Sequence, residues 1–226
     1  MIGVFDSGEG GLCTVEKIRE LSPDTDICFL ADRENAPYGT KTRAEIIRIT
    51  KKNIKKLCEL GAERVLIACC TASSVYRELN EEEKRIALPI IEPTAKRAAE
   101  LTKTGKIALI STEATAKSRA FEMALKSFLP ACTIYTRPTQ ELVSLVENGL
   151  CDETVTEQSA EKIQKILSGL RGLDFDTLIL GCTHFPRLEK TISKILGVKT
   201  VSSASVGAEE ILKTEKRSGN GMTLFV

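Results

Sequence analysis

Two cysteines end similar apolar runs, and in both places threonine follows. Arg64-Val-Leu-Ile-Ala-Cys69-Cys70-Thr71 and Asp176-Thr-Leu-Ile-Leu-Gly-Cys182-Thr183 each read as a buried strand stopping where a helix begins. A thiol at a helix start lies beside partial positive charge, which lowers its pKa and enriches the thiolate. Two such thiols facing each other across a cleft can invert a carbon centre. One thiolate removes a proton, and the opposing thiol delivers one to the other face. The competing reading is two small buried hydrophobes at strand ends, and spacing alone does not separate the two.

The surrounding residues narrow the chemistry. His184, the only histidine, follows Cys182 by two residues and can tune it or relay its protons, or can be an ordinary hydrogen-bonded side chain. Pro186 suits the first position of a helix. Cys69, Cys70, Cys182 and His184 offer four metal-ligand types, but neither a Cys-x-x-Cys nor a His-x-x-x-His spacing is present, so no metal is expected. The turn Asp6-Ser7-Gly8-Glu9-Gly10-Gly11 precedes a helix like a phosphate cradle. It lacks the Gly-x-Gly-x-x-Gly order, and Asp6 and Glu9 repel phosphate. A hydroxyl, backbone N–H groups and a carboxylate together suit a zwitterion such as an amino acid. Asp6 capping the helix, in a tight glycine turn, is the plainer alternative.

These residues need elements to hold them. Strand-like runs at Ile2–Phe5, Ile27–Leu30, Arg64–Ala68, Lys106–Ile110, Thr133–Tyr135, Thr177–Leu180 and Thr200–Val201 alternate with helical periodicity. Helices are expected over Leu12–Leu21, Arg43–Leu60 (stopped by Gly61), Thr71–Asn80, Thr94–Lys103, Ser118–Phe128, Gln140–Asn148, Thr156–Leu170 and Arg187–Leu196. The alternation predicts an α/β fold with parallel sheets flanked by helices, and continuous apolar strands fit burial on both faces. The two Cys-Thr strands echo each other, as do Gly3-Val-Phe-Asp6-Ser7-Gly8 and Ala108-Leu-Ile-Ser111-Thr112-Glu113. The expectation is two similar domains with the active site in the cleft between them. Residues 1–92 with 207–226 form the first, and 93–206 the second. Only Arg217–Gly221 is expected to be disordered.

Composition removes other classes. In 226 residues, 32 basic and 31 acidic side chains leave a net charge of +1, so no nucleic-acid or membrane partner is indicated. The first residues lack a basic head and long apolar stretch, and eight cysteines are scattered through a charged chain. Both features predict reduced thiols and a cytoplasmic location.

The motifs Asp6-Ser7-Gly8-Glu9-Gly10-Gly11-Leu12, Pro37-Tyr38-Gly39, Ala68-Cys69-Cys70-Thr71-Ala72-Ser73 and Leu180-Gly181-Cys182-Thr183-His184-Phe185-Pro186 resemble, in order, those of the aspartate/glutamate racemase family, in its glutamate branch. Weaker similarity covers Ser111–Ser118 and Leu142–Gly149. The resemblance implies a cofactor-independent racemase that supplies D-glutamate for peptidoglycan, with a homodimer as the assembly. It implies that Cys69 takes the proton from D-glutamate and Cys182 from L-glutamate, assisted by Asp6 and His184 respectively. It further implies an auxiliary acid role for Glu147, with Ser7, Pro37, Tyr38, Gly39, Cys70, Thr71 and Thr183 around the substrate. The chain departs from the pattern where Cys70 replaces an asparagine and Phe185 a tyrosine. Two readings follow from these departures: a shifted amino-acid substrate, or a binding protein without catalysis.

Overall fold

The computed structural model describes residues 1–214 and 219–226. The first half alternates β1 (Ile2–Asp6), α1 (Leu12–Leu21), β2 (Ile27–Ala31), α2 (Arg43–Glu59), β3 (Arg64–Ile67), the single turn α3 (Cys70–Ser73), α4 (Glu81–Ile86) and β4 (Ala87–Pro89). α5 (Ile91–Leu101) leads into β5 (Lys106–Ser111), α6 (Glu113–Ser118), α7 (Ala120–Phe128), β6 (Thr133–Pro138), α8 (Gln140–Glu147), α9 (Glu157–Ile166), β7 (Thr177–Gly181), α10 (Glu189–Leu196) and β8 (Lys199–Ser202). α11 (Ser203–Lys213) and β9 (Thr223–Phe225) follow.

The strands form two parallel sheets, as the alternation predicts, in the orders β4-β3-β1-β2-β9 and β6-β5-β7-β8. Read from β8, the second sheet runs β8-β7-β5-β6, which repeats β4-β3-β1-β2 strand for strand. The echo in the sequence is therefore an echo in topology. In each half the chain goes from the central strand to one side, then crosses to the other. Such a reversal opens a crevice beyond the strands' C-terminal ends. That crevice is at Asp6 and Cys69 in one half and at Ser111 and Cys182 in the other.

Every residue of β1 and β7 is buried, because helices cover both faces of each sheet. One apolar cluster runs between the sheets, joining Val4, Ile18, Phe29 and Leu66 to Ile107, Leu109, Phe121 and Ile179 through α5 and α11. Two others cover the outer faces, one around Phe5, Ile67 and Leu57, the other around Ile110, Leu180 and Phe185. The central cluster fixes the two sheets against each other and so places their C-terminal edges face to face.

Several local expectations are corrected. The single helix expected over Thr71–Asn80 is one turn, a short 3-10 segment at Tyr76–Glu78, and then α4. Asn80 starts α4 rather than ending a helix, because its side chain and Glu83 form a reciprocal capping box. α5 begins at Ile91 with Pro93 in its first turn, where a missing N–H costs nothing. The three-residue strand β4 is legible only as an edge, the one place where Pro89 is tolerated. The helix expected near Ser118–Phe128 is split by Arg119, at φ 55°. α11 carried no clear apolar period, being rich in small residues. A Cβ on Gly207 would lie 2.8 Å from Ile90 Cδ1, so these small residues let α11 sit close upon the core. Of Arg217–Gly221, residues 217 and 218 lie outside the described residues. The described part is held in place: Asn220 N–H donates to Asp26 Oδ1 at 3.0 Å and Gly221 N–H to Asp24 O at 3.2 Å.

Candidate active site

Asp6 is the last residue of β1 and is fully buried. Its Oδ2 accepts the N–H groups of Gly8 (3.3 Å) and Gly11 (3.0 Å), so the carboxylate folds the following turn around itself. From the other sheet, the Thr183 hydroxyl donates to Asp6 at 3.2 and 3.3 Å. Burial pushes the Asp6 carboxyl up, and His184 and these hydrogen bonds pull it only part of the way back. Gly10 lies directly on the opposing motif. A Cβ there would come within 2.5 Å of Thr183 Oγ1 and 2.7 Å of His184 Nδ1, so only glycine permits this approach.

Cys69, separated from β3 by Ala68 alone, directly precedes the turn α3 and is buried to 5% exposure. Its thiol donates to Ser7 Oγ at 3.5 Å. Burial and then the neighbouring Asp6 push this thiol up to about 12, against weaker downward help from Ser7 and the α3 backbone. The turn α3 has only four residues, so the helix-start lowering expected from sequence is outweighed by desolvation. Cys182 follows β7 in the matching position and is similarly buried. Its Sγ lies 3.5 Å from His184 Nδ1, and burial again raises the thiol well above its ordinary value. His184 Nε2 has Glu147 Oε1 at 3.5 Å but no hydrogen-bond partner among the described residues. Glu147 is the last residue of α8, with its side chain 59% exposed.

Thr71 joins the halves from the other direction. Its hydroxyl lies 3.1 Å from both Thr112 Oγ1 and Thr115 Oγ1, and those two are 2.9 Å apart. Tyr38 is buried, and its hydroxyl donates to Asp32 at 2.5 Å while accepting from Asn53 at 2.9 Å. Asp32 also accepts from Asn35 and Asn53, so one buried carboxylate organises the loop that carries Pro37, Tyr38 and Gly39. Cys70 faces two ways. It packs in the central cluster with Leu66 and Ile90 and also borders the cavity, and burial is the main cause that raises its thiol.

All the site residues expected from the sequence except Asp6 meet in one cavity of about 40 Å³. Ser7, Pro37, Tyr38, Gly39, Cys69, Cys70, Thr71, Glu147, Cys182, Thr183 and His184 all line it, and Asp6 lies just behind its wall. The sequence reading missed Gly8, Ala36, Thr112, Gln140, Val143 and Gly181, which also line it. Thr112 had a signal: it occupies the place of Ser7 in the internal echo. Val143 falls within the Leu142–Gly149 block of weaker similarity, whereas Gln140 had no signal, since only packing turns one face of α8 inwards. The volume holds little more than a water, so an amino acid enters only as the walls part. A hollow of about 590 Å³ adjoins the cavity and shares Gly8, Ala36, Glu147 and His184 with it. The larger depression between α8 and α9, about 750 Å³, carries none of the acid–base groups. Among the described residues, no cluster of three His, Cys, Asp or Glu side chains is arranged to hold a metal ion.

Two buried thiols at matched strand ends thus stand beside a carboxylate and an imidazole, groups whose chemistry is acid–base. The chain belongs to the Asp/Glu/hydantoin racemase family, whose pattern matches residues 13–211. It is 36% identical to glutamate racemase from Desulforudis audaxviator, over 88% of this chain and 72% of that protein. The structure superposes on a glutamate racemase isoform of Bacillus anthracis with a TM-score of 0.87 at 32% identity, covering 100% of this chain and 86% of the other. It superposes equally on the Francisella tularensis glutamate racemase solved with D-glutamate, with a TM-score of 0.86 at 28% identity over 99% and 86% of the two chains.

Proposed function

We propose that this chain interconverts L- and D-glutamate by transferring the α-proton between two cysteines. The observation that carries this reading is the pair Cys69 and Cys182 at topologically equivalent strand ends on one cavity. In the D-to-L direction, the Cys69 thiolate takes the proton from Cα, and the electron pair left on carbon takes a proton from the Cys182 thiol on the opposite face. The products are L-glutamate, a Cys69 thiol and a Cys182 thiolate; the reverse reaction exchanges the roles.

A thiol raised to about 12 is almost wholly protonated at neutral pH, so a base and a cation must act when substrate binds. The substrate's ammonium is that cation. Brought beside Asp6, it offsets the carboxylate's repulsion of a Cys69 thiolate. On the other side, His184 Nδ1 is within reach of Cys182 Sγ, and Glu147 faces its second nitrogen. Asp6 and His184 are thus the assisting groups for Cys69 and Cys182, with Glu147 auxiliary to the second. Ser7, Thr71, Thr183 and the N–H groups at the strand ends receive the substrate. Pro37, Tyr38 and Gly39 form a wall, with the Tyr38 hydroxyl already engaged by Asp32. Developing charge at the α-carboxylate is stabilised by these preorganised donors, without a cofactor as electron sink.

The proposed division is a first domain of residues 1–92 with 207–226 and a second of 93–206, its limits falling within α5 and α11. Supply of D-glutamate for peptidoglycan, a cytoplasmic location and a homodimer complete the reading. In its support, all eight cysteines are free thiols, and no described helix is long and apolar enough to cross a membrane. The decisive assay incubates the protein with L-glutamate in D₂O. Deuterium at Cα and appearance of the D-isomer are expected, and Cys69→Ser and Cys182→Ser are each expected to abolish inversion. Absence of exchange with glutamate, or full turnover in either serine variant, refutes the two-thiol reading.

A further inference from the structure

The cavity that receives the substrate has no lysine or arginine among its lining residues. Glutamate brings two carboxylates and one ammonium, so neutral donors must receive its surplus negative charge. The Ser7, Thr71 and Thr183 hydroxyls serve the substrate's α-groups at the strand ends, and the cavity's hydroxyls also have protein partners. Tyr38 donates to Asp32, Thr183 to Asp6, and Thr71 is shared between Thr112 and Thr115. Ser7 accepts the Cys69 thiol. Gln140 is the one side-chain amide on the cavity, and it makes no hydrogen bond with any described residue.

Its position suits one part of the substrate. The reacting carbon lies between Cys69 and Cys182, so the ammonium and α-carboxylate lie against the strand ends from which those thiols come. The remaining arm leaves towards α8, where Gln140, Val143 and Glu147 recur at i, i+3 and i+7 on the face turned to the cavity. Val143 offers an apolar surface to two methylenes. The exposed Glu147 at the far end of the helix repels a carboxylate towards Gln140. Across the cleft the amide meets the Pro37–Gly39 wall, with Gln140 Oε1 3.4 Å from where a Gly39 Cβ would stand. The amide therefore stands at the seam between the two halves, where the walls must part to admit substrate.

We propose that the Gln140 amide donates to the substrate's distal carboxylate and so selects an acidic amino acid. This assignment rests on the racemase reading above. Its test compares wild type, Gln140→Ala and Gln140→Glu in steady-state racemisation of both glutamate enantiomers, with calorimetric binding of D-glutamate and D-alanine alongside. Losing a hydrogen bond to a charged group predicts a roughly ten- to hundredfold rise in KM and Kd for glutamate in Gln140→Ala. Gln140→Glu, which sets like charges together, loses more. In Gln140→Ala, kcat stays within about threefold and D-alanine affinity within about twofold, since alanine has no distal carboxylate. Thermal melts establish that the variants fold. Unchanged glutamate affinity in Gln140→Ala, an equal loss for alanine, or a loss confined to kcat overturns the assignment. If wild type binds glutamate without racemising it, the proposed function fails, and the binding arm still decides the role of Gln140. If wild type does not bind glutamate at all, both readings fall.

Discussion

Gly10→Ala tests whether the approach of the two halves sets the chemistry. The added methyl would stand 2.5 Å from Thr183 Oγ1, 2.7 Å from His184 Nδ1 and 2.8 Å from His184 Cε1. Ordinary contact begins near 3.4 Å, so the Thr183–His184 segment must retreat by about 1 Å. Gly10 lies in a short 3-10 turn, so the alanine meets no backbone penalty and the effect is steric alone. The retreat has named consequences. Thr183 draws away from Asp6, now 3.2 Å distant, and His184 shifts relative to Cys182 Sγ, now 3.5 Å away. A 1 Å misplacement of reacting groups costs on the order of a hundredfold in rate. Gly10→Ala is therefore expected to lower kcat/KM about a hundredfold in both directions, measured by polarimetry or circular dichroism of glutamate. The apolar cluster between the sheets does not include Gly10, so a cooperative melt should persist. Retention of kcat/KM within about threefold in a folded Gly10→Ala protein would refute the claim that this close approach positions the acid–base pair.

Two further perturbations probe the supporting structure. Asp32→Ala strips the Tyr38 hydroxyl of its acceptor, which costs about 1–3 kcal/mol, and leaves the Asn53 amide only Tyr38 to donate to. A fall in Tm of several degrees and a raised KM are expected, because the Pro37–Gly39 wall loses its anchor. Asp32→Asn should restore part of both. Asp176 accepts the Thr102 and Thr177 hydroxyls and the N–H groups of Lys103 and Thr104, all within 2.9 Å. Burial alone would raise this carboxyl, but the four donors outweigh it and hold the group below its ordinary 3.8. A lowered folded pKa adds stability that is present above the unfolded value and lost as pH falls through the folded one. Asp176→Asn should therefore destabilise by about 2 kcal/mol at pH 7, and chemical denaturation should show that gap closing below pH 3.8. A gap independent of pH would assign the effect to shape rather than charge.

Much of the fold was legible along the chain because its signals are local. The runs Ile2–Phe5, Ile27–Leu30 and Thr177–Leu180 are continuous and apolar, and α1 and α2 keep their expected starts through turn and capping residues. The misread stretches are those where neighbours override local preference. Asn80 resembles a stop until Glu83 caps against it, and the small residues of Ser203–Ala208 show no period until α11 is laid on Ile90.

The site divides in the same way. Residue types and order alone determined the two Cys-Thr strand ends, the Asp6–Gly11 turn and the internal echo, because strand, turn and helix start are written within about eight residues of one another. Only the tertiary structure decided that Thr183 reaches across to Asp6, that Thr112 and Thr115 meet Thr71, and that α8 turns Gln140 inwards. It also reversed one electrostatic expectation: the thiols are raised by burial rather than lowered by a helix start. Desolvation depends on everything packed around a group, and these contacts join residues more than forty positions apart. No local pattern carries that information; the packing of two sheets against one shared core does.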